Sequence, residues 1–593
     1  MSRTDLAGLL ALSLPLTVLA GCGKKNGAAH VKTDTYTYLS IGDIESLDPA
    51  WARDTASQSV ILQIYDNLVS YKGSSLNAFE PAVAEKIPTK DNGLLSKDGR
   101  TYTFPIRKGI TFHDGSPLSA EDVRYSILRF CLLDRSGGPS VYILEALTGR
   151  RATRKNGKPD PHIFQLLTDA VRVRENALEL RLPKAYPPLL GVLATWSPVV
   201  SKAWAASHGD WAGREETWPV HNDPKLQDAP FFDRAMGSGP FRLDRWSKKN
   251  KTVILRRFKD YRRGPPRLAK AVIKAVPEFS TRRLMLKAGD ADSIYAERTE
   301  YTALSGLDGV EIIDDLSSAA MNPVLFFTFR INPEANPYIG SGRLDGRGIP
   351  SDFFSNRDTR LGFAYSVDAD AFIRDVSKDK AEPAAGCIPK TVFGFDPDLP
   401  RRPFDLKKAE KHFRLAAGGA VWKKGFRLTL AYNSGNEPRG VLARMVKRNV
   451  ESINPKFKID VRPVLWPTYL AALNARKIPA FVIGWMGSYP DPDAYAAPFL
   501  HSDEFFARMQ GFSDKELDRM IERAKLESDK RLRKEMYSEI QKRAHHLAAQ
   551  VYVQHERVYR AQRSWVRGYR YHPMFPAAPH FSRLFGLSKS PSR

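Results

Sequence analysis

The chain has 593 residues, more than one hydrophobic core accommodates, so two or three domains are expected. Its hydrophobic and charged fractions, 42% and 26%, are ordinary for a globular protein and exclude a disordered chain. The formal net charge of +25 is not ordinary, but Lys and Arg are spread along the chain, without the basic stripe and reading module of a nucleic-acid-binding protein. The charge fits an anionic ligand, anionic envelope polymers or simply a basic surface.

The N-terminus has the pattern of an export signal. A polar start at residues 1–5 precedes an apolar segment at residues 7–19 that is too short to span a bilayer. The four residues that follow, Leu19-Ala20-Gly21-Cys22, resemble the bacterial lipobox, which implies a signal peptide at residues 1–21, lipidation of Cys22 and a tether at residues 22–34. An ordinary signal peptide with an incidental cysteine is the alternative. No later stretch is apolar enough for a transmembrane helix, so we expect a soluble body anchored at one end.

Two further cysteines, Cys131 and Cys387, lie far apart in the sequence. A disulfide between them and two buried free thiols both remain open. Neither cysteine has metal-ligand spacing to another Cys or His.

The next segments alternate between strand and helix patterns. Residues 35–41 are predicted to form a strand and residues 55–68 a helix. Two alternating segments then lead through a turn at residues 113–115 to Ser119, a good N-cap for a helix whose first turn is acidic.

Residues 480–493 form the most distinctive segment of the C-terminal half. Ala480-Phe481-Val482-Ile483 is typical of a strand buried on both faces. Two prolines then stiffen a loop that carries Trp485, Ser488 and the carboxylates of Asp491 and Asp493. Since ligands lie outside the carboxyl ends of strands in open α/β sheets, this loop is a candidate binding site.

Several motifs carry a family resemblance. They are SLDP at 46–49, YDNLV at 65–69, PAVAE at 81–85, FPIRKGITFHDGSPLSAEDV at 104–123 and GSGPFRLDRW at 237–246. These strings resemble the extracytoplasmic solute-binding proteins of the peptide, opine and nickel family, the receptors of ABC importers. The resemblance covers most of residues 36–565. A basic insertion at residues 147–161, predicted to be a surface loop, departs from it, as does a polar tail at residues 588–593 that is expected to fray.

The resemblance implies an α/β fold of the two-lobed periplasmic-binding-protein type (type II, cluster C-like) with an additional domain. Lobe I would be discontinuous, the extra domain II would follow its first segment, and lobe III would complete the cleft. The implied ranges are 35–70, 196–277 and 549–587 for lobe I, 71–195 for domain II and 278–548 for lobe III. The lobes would close on a ligand by a hinge motion.

The same resemblance assigns ligand contacts. In peptide-binding relatives, an aspartate three residues after a tryptophan pairs with the ligand's amino terminus. Here the tryptophan is Trp485, and Ser488 takes the place of the aspartate, so no carboxylate is present to hold an ammonium group. Two arginine positions of a relative fall on Leu473 and Val482. The full set of candidate ligand-binding residues is Trp485, Ser488, Trp466, Met486, Gly484, Asn67 and Tyr552.

No catalytic or metal motif is present in the sequence, so neither an enzyme nor a cofactor or metal is expected. We expect a monomeric, lipid-anchored protein of the periplasm or cell envelope that passes a peptide-like solute to the permease and ATPase subunits of an ABC importer and binds no nucleic acid. The alternatives are an envelope receptor or scaffold that binds an oligosaccharide, an opine or a metal chelate, and an envelope enzyme.

Overall fold

A computed structural model describes residues 33–574 and 584–590. The predicted signal peptide, the lipidation site Cys22 and most of the tether lie outside these residues. No helix in the described ranges is long and apolar enough to cross a membrane.

The strands of the first part of the chain, up to the long strand that leaves lobe I, are β1 (Thr35–Ser40), β2 (Val69–Tyr71), β3 (Phe79–Pro81), β4 (Thr101–Pro105), β5 (Arg154–Lys155), β6 (Lys158–Pro159), β7 (Val171–Arg174), β8 (Ala177–Arg181), β9 (Phe241–Ser247), β10 (Thr252–Arg257), β11 (Lys270–Ala275), β12 (Ser293–Ile294) and β13 (Val310–Phe327). Those that follow are β14 (Ala381–Pro383), β15 (Phe426–Asn433), β16 (Phe457–Val464), β17 (Ala480–Met486), β18 (Gln550–Tyr552), β19 (Gln554–Arg563), β20 (Val566–Arg567) and β21 (Ser588–Lys589).

The helices of lobe I and domain II are α1 (Thr55–Ile64), α2 (Ala120–Leu133), α3 (Val141–Thr148), α4 (His162–Ala170), α5 (Leu189–Trp196), α6 (Lys202–Ser207), α7 (Phe279–Ala288) and α8 (Tyr301–Leu304). Lobe III contributes α9 (Arg357–Tyr365), α10 (Ala369–Asp375), α11 (Leu406–Leu415), α12 (Ala420–Lys424), α13 (Glu437–Ile453), α14 (Trp466–Asn474), α15 (Asp493–Leu500), α16 (Phe505–Gln510), α17 (Lys515–Leu526) and α18 (Lys530–Leu547). Short 3-10 turns lie at Glu215–His221, Leu226–Asp228, Arg298–Glu300, Phe353–Ser355, Ala416–Gly419 and Leu584–Gly586.

One large sheet runs through both lobes, which confirms the predicted α/β class. Its strand order is β16-β15-β17-β13-β19-β12-β1-β11-β10-β9. The long strand β13 pairs with β19 over its first half and with β17 over its second half. Strands β13 and β19 therefore pass between the lobes and form the connection about which the lobes would move.

The sheet that contains β1 continues past residue 277, the predicted end of the middle segment of lobe I. Strand β12 lies parallel to β1 and pairs with β19, and Leu286 and Ile294 pack into the same hydrophobic cluster as Leu39. At the other boundary, β18 pairs with the lobe III half of β13. The crossing points thus lie within β13 and after β18.

Domain II is a separate antiparallel sheet in the order β4-β8-β7, packed against α2 and α4. Helix α2 begins at the predicted N-cap: Ser119 and Asp122 form a capping box, which confirms the prediction. The basic insertion forms the small β5-β6 hairpin.

Buried contacts explain two of the motifs that carry the family resemblance. Asp48 of the SLDP motif is fully buried and forms a bidentate pair with Arg129 of α2, whose guanidinium also binds Asp210. In the GSGP motif, a Cβ at Gly237 or Gly239 would lie within 2.6 Å of the carbonyl oxygen of Ile64 at the end of α1. Both positions therefore require glycine because backbone meets backbone there.

The two body cysteines are buried free thiols, so of the two alternatives the free form is confirmed. Burial raises the pKa of Cys387 to about 12 and also raises that of Cys131 well above its ordinary value. The described part of the C-terminal tail, residues 588–590, contacts the body of the protein: Ser588–Lys589 pairs with Val566–Arg567, and the Lys589 ammonium lies 2.8 Å from the buried carboxylate of Asp292.

Candidate functional site

The candidate site lies where the parallel strands of lobe III end. Strands β15 and β17 are parallel neighbours, so their carboxyl ends meet at the same edge of the sheet. Trp485 lies at the end of β17 and Ser488 just after it, and Arg439 lies on α13, which follows β15. Each segment borders a separate cavity.

Trp485 is held by its polar edge and by its ring. The indole Nε1 donates a 2.8 Å hydrogen bond to the carbonyl oxygen of Ala494, and the ring packs against Phe505 and Phe506 at centroid distances of 5.7 and 5.5 Å. The ring remains half-buried and lines the larger cavity. It offers an apolar face for a ligand in a fixed orientation.

Ser488 joins lobe III to domain II. Its hydroxyl shares a 2.5 Å hydrogen bond with the Tyr142 hydroxyl, and its carbonyl oxygen accepts a 2.8 Å hydrogen bond from Trp196 Nε1. The Ser488 side chain is half-buried at the cavity wall and presents neutral hydroxyl chemistry there.

We call the larger cavity the cleft cavity. It has a volume of about 360 Å³, and its walls come from lobe I, domain II and lobe III. Its lining residues are Arg53, Asp134, Arg135, Ser136, Gly137, Gly138, Ser140, Val141, Tyr142, Glu145, Arg151, Ala152, Arg154, Trp485, Ser488, Tyr489, Asp493, Ala494, Ala497, Pro498, Glu504, Phe505, Arg508 and Lys525. A volume of a few hundred Å³ is that of a small-molecule site.

The two aspartates of the loop have structural partners. Asp491 forms a bidentate ion pair with Arg533 at 2.7 and 2.8 Å. Asp493 accepts a 2.9 Å hydrogen bond from the Tyr489 hydroxyl and lies 3.7 Å from Lys525. Burial opposes the charge of Lys525, but Asp493 and Glu145 outweigh it and raise the pKa of that ammonium.

We call the smaller cavity, of about 180 Å³, the hinge pocket. It lies between the loop after β12, the hinge strands and the start of α13, with Glu297, Asn322, Arg439 and Glu556 among its lining residues. The Arg439 guanidinium donates to Asn322 Oδ1 at 3.2 Å and to Asn433 Oδ1 at 2.6 Å. Burial lowers its pKa.

Glu556 is the titratable group of the hinge pocket. Desolvation by burial, reinforced by the charge of Glu297, raises its pKa from 4.5 to about 7, against hydrogen bonds from Ser318 and Asn322. Because the folded-state pKa is raised, the stability linked to this group is present below about pH 4.5 and is lost as the pH rises through about 7.

We therefore expect Glu556→Gln to raise the melting temperature at about pH 8, equivalent to about 1–2 kcal/mol, and to have little effect at about pH 5. The amide keeps the shape of the carboxyl group but removes the charge that burial disfavours. Thermal unfolding of wild type and variant at both pH values measures the difference. Glu535→Gln, on an exposed turn of α18, is the control, and an equal effect at both pH values would contradict the prediction.

The other predicted contacts lie outside both cavities. Trp466 begins α14 and is 47% exposed. Asn67 is buried and donates a 2.6 Å hydrogen bond to the Ala194 carbonyl, which ties lobe I to α5. Tyr552 is buried, donates to Gln550 Oε1 at 3.0 Å and packs on Phe499, and Met486 is paired with Ala320 in the sheet.

Gly484 is also outside both cavities but packs directly against Asn322 and Arg439, which line the hinge pocket. A Cβ there would lie 2.5 Å from Asn322 Oδ1 and 2.9 Å from Arg439 Nη2. A side chain at this position would displace Arg439, so glycine keeps the pocket open.

Several cavity residues were not identified from the sequence. Arg53 follows the SLDP motif, Arg135 directly precedes Ser136-Gly137-Gly138, and Tyr142 lies on α3. Arg151 and Arg154 belong to the basic insertion that was predicted to be a surface loop. The positive charge of that insertion could have indicated its place at a binding site, because arginine side chains are suited to binding anionic groups. In the described residues, no group of three or more His, Cys, Asp and Glu side chains could hold a metal ion.

Comparisons with known proteins agree with this architecture. Residues 78–507 match the family described as bacterial extracellular solute-binding proteins, family 5 Middle. The chain is 23% identical to the dipeptide-binding protein of Escherichia coli over 96% of this chain and 97% of that protein, and 24% identical to the heme-binding protein A of Haemophilus influenzae over 95% and 96%.

A solved structure shows the same fold. The structure of NikZ from Campylobacter jejuni in complex with Ni(L-His) superposes with a TM-score of 0.73 at 18% identity, covering 94% of this chain and all of that one. The likeness confirms the predicted periplasmic-binding-protein fold.

Proposed function

The chain belongs to family 5 of the bacterial extracellular solute-binding proteins, which bind solutes for ABC transporters and are not enzymes, and on that basis we propose that it captures a peptide or peptide-like solute between its lobes for delivery to an importer's permease. The observation that carries this proposal is the cleft cavity. It lies at the carboxyl end of β17, has walls from all three domains and is lined by Trp485, Tyr142 and Phe505.

Ser488 narrows the class of solute. A ligand ammonium group at this position would find two hydroxyl groups, those of Ser488 and Tyr142, instead of a carboxylate. A charge-assisted hydrogen bond is about twice as strong as a neutral one, so a free amino terminus loses its main attraction here. We therefore propose an amino-blocked or otherwise amine-free solute, such as a cell-wall-derived peptide, an opine-like compound or an oligosaccharide.

Native mass spectrometry of the protein purified without refolding tests this function. We expect a bound solute to be retained and released on denaturation, and the released compound to raise the melting temperature when it is added back. Loss of uptake of that compound in cells that lack the gene would link binding to import. Tight binding of unmodified di- or tripeptides, at about nanomolar Kd, would contradict the proposed solute class.

We also propose that Cys22 carries a lipid anchor, on the strength of the Leu19-Ala20-Gly21-Cys22 sequence. The full-length protein should then sediment with membranes and incorporate labelled palmitate. Cys22→Ser should abolish both, because a serine hydroxyl does not replace the thiol that is lipidated. Labelling that persists in the variant would rule out this anchor.

A further inference from the structure

The charges of the cleft cavity are unequally paired. Its lining contains six cationic and four carboxylate side chains, namely Arg53, Arg135, Arg151, Arg154, Arg508 and Lys525 against Asp134, Glu145, Asp493 and Glu504. All four carboxylates lie within 4.0 Å of Arg151, Arg154 or Lys525. Arg53, Arg135 and Arg508 therefore face the cavity without a carboxylate from its own lining.

Arg53 and Arg135 are held in place by aromatic rings instead. The guanidinium carbon of Arg53 lies 5.4 Å from the centroid of the Tyr142 ring, and that of Arg135 lies 3.8 Å from the centroid of the Trp51 ring. In the described part of the chain, the one carboxylate within 4.0 Å of Arg135 is that of Glu45, at 4.0 Å and half exposed, and none lies that close to Arg53. Stacking fixes both cations but does not neutralise them.

The two arginines also act on each other. Burial lowers the pKa of Arg135, and the positive charge of Arg53 adds to this effect against the attraction of Glu45, Asp54 and Asp223. None of these three carboxylates belongs to the cavity lining, and an anion inside the cavity would further reduce the repulsion between the two half-buried arginines. An anionic group of a ligand would supply that charge.

Neutral hydrogen-bond donors lie beside this pair. Tyr142 packs against Arg53 with its ring and shares its hydroxyl with Ser488, and Arg53, Arg135 and both hydroxyl-bearing residues belong to the lining of the cleft cavity. Carboxylates and phosphates are bound by such a combination of guanidinium and hydroxyl donors.

We propose that the cleft cavity binds an anionic group of the solute, a carboxylate or a phosphate, through Arg53 and Arg135 with Tyr142 and Ser488 as hydroxyl partners. The inference rests on the proposed solute-binding function and specifies its substrate class. It reverses the polarity implied by the peptide-binding relatives: the site attracts an anion where those proteins attract an ammonium group.

Matched probes test the proposal by titration calorimetry at low ionic strength. N-acetyl-Ala-Glu and N-acetyl-Ala-Gln, both used as C-terminal methyl esters, differ in the single carboxylate of the glutamate side chain, and inorganic phosphate tests the other source of negative charge. We expect the wild type to bind the acid at least about tenfold more tightly than the amide, or to be stabilised by phosphate relative to chloride at equal ionic strength. The first result indicates a carboxylate solute and the second a phosphorylated one.

Variants of the two arginines test whether they cause the preference for an anion. Arg53→Gln and Arg135→Gln should each reduce the preference for the acid, or the stabilisation by phosphate, and the double variant should abolish it. Arg100→Gln, an exposed arginine of domain II paired with Asp98, should leave it unchanged. Equal binding of acid and amide together with no effect of phosphate, or an anion preference that survives in the double variant, would overturn the proposal.

Native mass spectrometry separates this inference from the function on which it rests. A neutral or cationic solute that co-purifies equally with wild type and double variant would overturn the anionic class and leave solute binding intact. A wild type that retains no solute and supports no uptake would overturn the proposed function itself.

Discussion

Replacing Arg129 by methionine is expected to destabilise the protein by about 3–5 kcal/mol, because it leaves two buried carboxylates without a cation. Asp48 and Asp210 are 0% and 6% exposed, and both lie 2.7 Å from the Arg129 guanidinium. The methionine fills much of the same volume, so the loss comes from the uncompensated charges. Thermal unfolding of wild type and variant near neutral pH measures the effect.

Two comparisons identify charge as the cause. Arg100→Met removes an exposed arginine with an equally short ion pair, to Asp98 at 2.7 Å, and should change stability by less than about 1 kcal/mol. Combining Arg129→Met with Asp48→Asn and Asp210→Asn should recover much of the loss, because no uncompensated carboxylate then remains.

The pH dependence gives an independent check. Burial disfavours the charged form of a carboxyl group that has no cation beside it, so the variant should gain stability relative to the wild type as the pH falls. A deficit that stays constant between about pH 8 and pH 5 would mean that lost packing, and not charge, explains the destabilisation.

Local features of the fold were predictable from the sequence. The cap at Ser119 depends on residues within one turn of helix, and the burial of β17 follows from its continuous apolar run. The place of β12 in the large sheet was not predictable, because β12 is two residues long and joins the sheet only through its contacts with β1 and β19. Such pairing is a tertiary property that leaves no periodic pattern.

The candidate site also combines residues that could be identified from the local sequence with residues that could not. Trp485 and Ser488 could be identified from the sequence because Trp485 lies at the end of a recognisable strand, β17, and Ser488 follows it. Their partner Tyr142 lies on α3 of domain II, and Arg53 lies in lobe I, so their convergence depends on how three domains pack. No spacing in the sequence records that convergence.

Asn67 and Trp466 lie outside both cavities, in opposite environments. The Asn67 amide is buried and its nitrogen donates to the Ala194 carbonyl, as a buried polar group requires. Trp466 lies at the exposed start of a helix, outside both cavities. Residue type alone could not distinguish these roles from ligand contact.

Replacing Ser488 by aspartate is expected to create an amine-binding site in the cleft cavity. The new carboxylate would lie beside the Tyr142 hydroxyl, which can donate to it, and beside the cavity where a ligand amino terminus would fit. A charge-assisted hydrogen bond contributes about 1.5–3 kcal/mol, so Ser488→Asp should bind Ala-Phe about 10–100-fold more tightly than the wild type does. N-acetyl-Ala-Phe, which lacks the ammonium group, should gain nothing.

Ser488→Asn is the matched control, because asparagine has the shape of aspartate without its charge. Calorimetry with both peptides should show a gain in affinity for Ala-Phe with aspartate alone, and an equal gain with asparagine would attribute the gain to side-chain size.

Ser488→Asp also bears on the polarity of the cavity, since a carboxylate at residue 488 is expected to compete with a ligand anion for Arg53. Ser488→Asp should therefore lose the preference for N-acetyl-Ala-Glu over N-acetyl-Ala-Gln while it gains the free-amine peptide. If both properties change together, residue 488 and the arginines act on one ligand position, and if the acid preference persists, they act on two.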